Sequence, residues 1–220
     1  MSKNYTKNKF LLFALAALPL SVFAQKKISI IPSVGYGFRT ASLPSNITQQ
    51  EKSYLKGLKS GINFDIGAYY QLNNVIGLGV KYNIYSASSS GSFSGFTPDG
   101  DPVSISLSTE DTITFVGPAF LYSNFDESTK HKLYYDMAIG VISYKSKTDN
   151  VLFSGSNLGL AATIGYMYEI SPSIFIGPQV GYTGGTLVKA KLNGQQFDLP
   201  EDQKEALHRL TVSAGVTIRL

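Results

Sequence analysis

Few side chains in this 220-residue chain are suited to chemistry. There is no Cys, and His occurs only as His131 and His208. Disulfides, thiolate zinc sites and Cys nucleophiles are excluded, and two distant His are too few good ligands for a metal site. Nucleophilic catalysis needs a nucleophile, a base and an orienting acid within reach of one another. His208 with Glu205 and a loop Ser is the set that comes nearest. Glu205-Ala206-Leu207-His208 reads equally well as the end of a short helix begun at Pro200. His131, between Lys130 and Lys132, reads as part of a turn. Asp99-Gly100-Asp101 is a turn with at most weak Ca²⁺ contact. No Gly-rich phosphate loop joins a strand to a helix, so no nucleotide site is expected. No cofactor is expected either. Opposite charges inside otherwise weakly polar segments remain: Asp65 and Lys81, and then Asp136, Glu169 and Arg219. Such pairs either form an ion-selective constriction or satisfy a closed interior.

The elements that carry these charges decide between those roles. The chain alternates with a period of two, the strand signature. Ile62, Phe64, Ile66, Ala68 and Tyr70 form one face, against Asn63, Asp65, Gly67, Tyr69 and Gln71. After Leu72-Asn73-Asn74 the pattern resumes with Ile76, Leu78, Val80, Tyr82 and Ile84, against Gly77, Gly79, Lys81, Asn83 and Tyr85. A hairpin centred on Asn73 sets Phe64 opposite Tyr82 and Asp65 opposite Lys81, sorting like with like. Six further segments alternate in the same way: Ile28–Thr40, Thr112–Ser123, Leu133–Tyr144, Asn157–Ile170, Ile174–Thr183 and Leu210–Leu220. That gives eight strands. Pro118 and Pro178, each preceded by an aromatic-aliphatic-Gly triplet, predict a bulge in their strands. Ser86–Phe96 is a low-complexity, flexible segment, with Phe93 and Phe96 as surface anchors or lids on the mouth.

The first segment reads as an export signal. Lys3, Lys7 and Lys9 precede nine apolar residues, Phe10–Leu18, and Val22-Phe23-Ala24 offers a small-residue cleavage site. The run is too short to span a bilayer. Cleavage after Ala24 removes three lysines and lowers the formal charge from +4 to +1. No basic field remains, so nucleic acid is not a partner. The mature domain is residues 25–220.

Three features set the apolar face outward. It is continuous over five or six positions per strand, as a band some 25 Å tall requires. The opposite face is mostly Gly, Ala, Ser and Thr, too poor in charge for a soluble surface when only 15% of the chain is charged. The connections alternate in length. Ala41–Lys59, Ser86–Asp111, Lys145–Ser156 and Gly184–Arg209 are long; Leu72–Asn74, Asn124–Lys132 and Ser171–Ser173 are short. Long loops at one end and tight turns at the other mark an outer-membrane barrel. Tyr70, Tyr122, Tyr135 and Tyr168 all fall at the short-turn end of the apolar face, as a periplasmic-side aromatic girdle. Asp136, Glu169 and Arg219 lie inward at that end, as one lumen charge network.

An exported, Gly- and Tyr-rich chain with Val-Gly-Pro and Ile-Gly-Pro strands and a last strand ending Gly215-Val216-Thr217-Ile218-Arg219-Leu220 resembles the small outer-membrane β-barrel family, OmpA transmembrane-domain-like and OmpW-like. Family members usually end on an aromatic; this chain ends on Leu220. The resemblance implies an all-β, eight-stranded antiparallel up-and-down transmembrane barrel in the bacterial outer membrane. Implied partners are outer-membrane lipid and lipopolysaccharide, the barrel assembly machinery, and an extracellular protein or small-molecule ligand. Three functions follow from it. The first is a non-enzymatic structural or surface-interaction role through the extracellular loops. The second is a narrow porin or OmpW-like channel gated at Asp65 and Lys81. The third is a lipid A-modifying enzyme using His208.

Overall fold

The computed structural model describes residues 26–41, 46–96, 99–200 and 204–220. The export segment 1–24 lies outside the described residues. Among the described residues the chain forms β1 (Ile28–Arg39), helix α1 (Gln49–Leu58), β2 (Ser60–Gln71), β3 (Ile76–Phe96), β4 (Pro102–Ser123), β5 (His131–Thr148), β6 (Val151–Ser171) and β7 (Ile174–Leu187). It continues with β8 (Lys189–Leu192), β9 (Gln195–Asp198), β10 (Glu205–Ala206) and β11 (Arg209–Arg219). Strands β1 to β7 pair antiparallel in chain order, β7 pairs with β11, and β11 pairs back with β1. This is a closed eight-stranded barrel, in which every long strand has two neighbours and no edge is left bare.

The outer face is apolar and the inner face is filled. One row, Tyr82–Val116–Val141–Leu158, runs outward across β3 to β6. Ile164 points out at 68% exposure, whereas Tyr69 points in at 1%. An apolar wall around a packed polar and aromatic interior is the inverse of a soluble barrel and suits lipid. Glycines make room for the large inward rings. A Cβ on Gly67 would stand 2.4 Å from the Tyr69 ring, and one on Gly165 2.2 Å from that of Tyr134.

The β2–β3 hairpin departs from the expected pairing by two residues. Asp65 faces Asn83, and Lys81 faces Gly67. The turn is one residue longer, Leu72–Val75. It is closed by Asn73, whose Oδ1 accepts from the N–H groups of Val75 (2.9 Å) and Ile76 (2.8 Å). An even offset leaves every side chain on its expected face.

The prolines do not make bulges. The β4–β5 register is the same on both sides of Pro118, and the β6–β7 register the same on both sides of Pro178. Each Pro leaves a gap in one ladder, because it has no N–H to donate. The register shift lies instead between Glu169 and Ser171, beside the β6–β7 turn.

The long-loop end is more ordered than its composition suggests. Ser86–Phe96 is strand, and the β3–β4 hairpin is paired out to Phe96 and Pro102. The Phe93 ring packs edge-on against Tyr54 of α1, centroids 5.4 Å apart. Helix α1 stands in the first long connection. A capping box starts it: Glu51 N–H donates to Thr48 Oγ1 (3.2 Å), and Thr48 N–H donates to Glu51 Oε2 (2.7 Å). Thr48-Gln49-Gln50-Glu51 is the sequence signal for it. Conversely, the short helix expected to end at His208 is replaced by β10, which pairs Glu205 with Leu187 and Ala206 with Thr186.

Candidate functional site in the barrel lumen

Ion pairs occupy the lumen at three levels. At mid-height, Lys81 of β3 is 1% exposed. Its Nζ donates to Asp136 Oδ1 (2.8 Å) and Oδ2 (2.9 Å) and to Thr163 Oγ1 (2.7 Å). It also lies 3.1 Å from Asp65 Oδ1. Asp65 and Lys81 thus meet along a diagonal of the ladder rather than face to face, within reach of a long side chain. Asn83 Nδ2 donates to the other oxygen of Asp65 (3.0 Å), and its own Oδ1 accepts from Arg209 Nη2 (2.5 Å). Arg209 is fully buried, its guanidinium 5.7 Å from the centre of the Tyr85 ring. The chain Arg209–Asn83–Asp65–Lys81–Asp136 sums to zero formal charge. That balance lets four ionised groups share a low-dielectric interior without an uncompensated charge.

At the long-loop end, Arg39 pairs with Asp111 (3.2 Å) and with Glu205. Tyr144 Oη donates to Asp111 Oδ2 (2.9 Å), and its ring lies under the Arg39 guanidinium. Tyr85 Oη donates to the Leu58 carbonyl (3.1 Å), tying the end of α1 to the barrel mouth. Arg39, Asp111 and Tyr144 escape a reading of sequence because each partner comes from a different strand.

At the short-turn end, Arg219 and Asp126 form a two-pronged pair (2.8 and 3.1 Å), and Lys132 pairs with Glu169 (3.1 Å). The β4–β5 turn folds back so that Phe125 is buried against Phe175 and Tyr134. The expected single network of Asp136, Glu169 and Arg219 is therefore not formed. Asp136 belongs to the mid-lumen cluster, and the other two take separate partners. Asp136 lies opposite Leu121 and Thr163, higher in the lumen than Glu169, which lies opposite Phe175 at the base. An open vestibule of about 560 Å³, lined in part by Lys26, Gln71, Asp126 and Lys132, lies below this layer.

Between these layers the polar side of the lumen holds a pocket of about 10 Å³, lined by Ser33, Asn63, Asp65, Thr163 and Gln179 among others. That is about the room of a single water. The opposite side is filled by Ile113, Phe115, Leu121, Ile142 and Met167, all fully buried.

The histidines are engaged elsewhere. His208 Nδ1 lies 2.5 Å from Tyr182 Oη, and His131 Nδ1 lies 2.6 Å from Tyr166 Oη. Glu205 turns to Arg39, so the His208–Glu205 pairing a hydrolase would need is not assembled. No group of three or more metal-ligating side chains occurs among the described residues. Asp99-Gly100-Asp101 is a turn, with Gly100 at φ 88°.

Tyr70, Tyr122, Tyr135 and Tyr168 all stand on the outer face near the short turns. Tyr122 and Tyr135 face one another and stack with centroids 5.1 Å apart. Tyr168 lies opposite His131, whose ring also meets Tyr166.

No family model and no curated protein matches the chain. Solved structures do. Neisserial surface protein A aligns with a TM-score of 0.53 at 14% identity, over 88% of this chain and 97% of its own. The outer membrane protein OprG from Pseudomonas aeruginosa aligns with a TM-score of 0.50 at 11% identity, over 89% of this chain and 97% of its own. Identity at this level speaks for architecture alone. The chain shares the fold of the small outer-membrane β-barrels.

Proposed function

We propose that the protein is a non-enzymatic outer-membrane barrel that works at the cell surface through its long-loop end, with a sealed lumen. On this reading residues 1–24 direct export and are removed, the barrel assembly machinery inserts the domain, and the long-loop end faces outward. The four tyrosines Tyr70, Tyr122, Tyr135 and Tyr168 then mark the periplasmic-side interface. The observation that carries the proposal is the lumen. Three layers of ion pairs and a polar lumen pocket of only about 10 Å³ support a lumen closed to solutes. Asp65 and Lys81 accordingly hold the interior closed. Support for a surface role comes from the β3–β4 hairpin, which extends past the apolar belt and packs on α1 through Phe93 and Tyr54. A neighbour of the same fold is named as a surface protein.

The test is single-channel recording of the refolded barrel in a planar bilayer, with heat-modifiable gel mobility as the folding control. A folded, silent barrel is expected. Discrete openings that change in Asp65→Ala or Lys81→Ala would overturn the sealed-lumen reading in favour of a narrow channel. The surface role is tested by deleting residues 89–108. The shortened barrel should fold and remain silent, yet lose binding to an array of glycans and extracellular proteins that the intact barrel recognises. Lipid A modification that disappears in His208→Ala would instead establish an enzyme.

A further inference from the structure

The outer face of the barrel is not uniform above its apolar belt. Over β3–β6 three successive outward rows can be followed through the register. The belt ends in Tyr82–Val116–Val141–Leu158. The next row up is Ile84–Thr114–Ser143–Ser156, mostly hydroxyls. The row above it is Ser86–Thr112–Lys145–Ser154–Lys191, reaching onto β8. Lys189, two residues before Lys191, points the same way, because Ala190 between them is turned inward and buried. Lys145, Lys189 and Lys191 are all exposed. They border a groove of about 360 Å³ whose other polar lining is Ser143, Tyr144, Ser154, Ser156 and Gln196. One acid approaches: Asp198 of β9, 3.5 Å from Lys189 with both side chains exposed. On β2 the same row continues as the apolar Ile62, opposite Ser86.

We propose that this groove holds the phosphate of an anionic membrane lipid, with the lysines on the phosphate, the serine hydroxyls on its ester and sugar oxygens, and the acyl chains on Val141, Leu158, Ile139 and Leu160. The proposal rests on the membrane orientation given above. Its grounds are charge complementarity and position. Two residues along a strand span roughly 7 Å, so a headgroup seated on the lysine row has its chains against the belt. A soluble anion has no use for that continuity. The lysines are compact point charges suited to phosphate, each contributing roughly tenfold or less at a membrane surface.

The experiment uses the full barrel in phosphatidylcholine nanodiscs carrying a small fraction of lipid A, with retained lipid counted by native mass spectrometry after release. The wild-type barrel should keep lipid A. The triple variant Lys145→Gln, Lys189→Gln, Lys191→Gln should keep it about tenfold less well or worse. A second triple variant, Lys52→Gln, Lys56→Gln, Lys59→Gln around α1, removes the same charge away from the groove and should behave as wild type. Equal loss in both variants, or no loss in the first, would overturn the site. Displacement of lipid A by millimolar inorganic phosphate would make it a free-anion site, and displacement by a soluble heparin fragment a glycan site; either result overturns the lipid assignment. Heat-modifiable mobility reports insertion separately. A barrel that never inserts counts against the membrane reading, whereas an inserted barrel indifferent to the lysines counts against this proposal alone.

Discussion

Lys81 on β3 donates to both carboxylate oxygens of Asp136 on β5, crossing the lumen over the intervening strand β4. Strand β4 permits the crossing because it presents Gly117 and Ala119 inward at that height, opposite Lys81 and Gly79. The contact joins two parts of the wall that share no ladder.

Removing that ammonium strands two carboxylates in the interior. Lys81→Met should therefore destabilise the barrel by about 3–5 kcal/mol, the usual cost of breaking a buried pair from one side. Asp65→Asn should cost less, because Asp65 is partly exposed and Lys81 keeps Asp136. Urea titration of the barrel in detergent micelles, read by heat-modifiable mobility, ranks the two. Equal stability of Lys81→Met and wild type would show that the network is not a structural clamp.

The glycines opposite the inward rings are predicted to be intolerant of side chains. Gly165→Ala puts a Cβ 2.2 Å from the Tyr134 ring, which is 3% exposed and has little room to move. The expected loss is about 1–3 kcal/mol. Gly95, whose Cβ would meet nothing within 4 Å, serves as the control, and Gly95→Ala should be close to neutral.

The β2–β3 register depends on Asn73. Its side chain accepts from two backbone N–H groups that otherwise have no partner in the turn. Asn73→Ala should cost about 1 kcal/mol and slow refolding into lipid, measured by the rate at which the folded gel band appears. Asn73→Asp keeps the acceptor and should restore most of the rate.

Helix α1 carries a local pH dependence. Hydrogen bonds from the Thr48 backbone N–H and hydroxyl hold the Glu51 carboxyl below the ordinary Glu range. A carboxyl lowered on folding stabilises the helix above its unfolded value, and that stability is lost as pH falls through its folded value. Amide exchange over Lys52–Leu58 should accelerate on acidification below the ordinary Glu range while the barrel strands stay protected. Glu51→Gln keeps a capping acceptor and should flatten the acid response. An unchanged response in that variant would remove the cap as its cause.

The sequence by itself determined the strand count, the inward and outward faces, the alternation of long and short connections, and hence the closed inverted barrel. Side-chain direction in a strand has a period of two, so the faces follow from composition and survive any even slip. The slip itself was not legible. Leu72-Asn73-Asn74 and Leu72–Val75 sort the hairpin equally well, and only the Asn73 side-chain bonds choose between them. Tertiary structure alone decided the partners. Asp136 finds Lys81 because barrel stagger sets their heights, and sequence carries no measure of stagger. Arg219 finds Asp126 because the β4–β5 turn buries Phe125 and carries its neighbour into the mouth. The small register shift after Glu169 and the lysine row from Lys145 to Lys191 likewise depend on which strands are neighbours, whereas the helix at Gln49–Leu58 carries its own local signal in the Thr48–Glu51 capping box. Period-two patterning fixes what each residue faces, while closure of the sheet fixes what it meets.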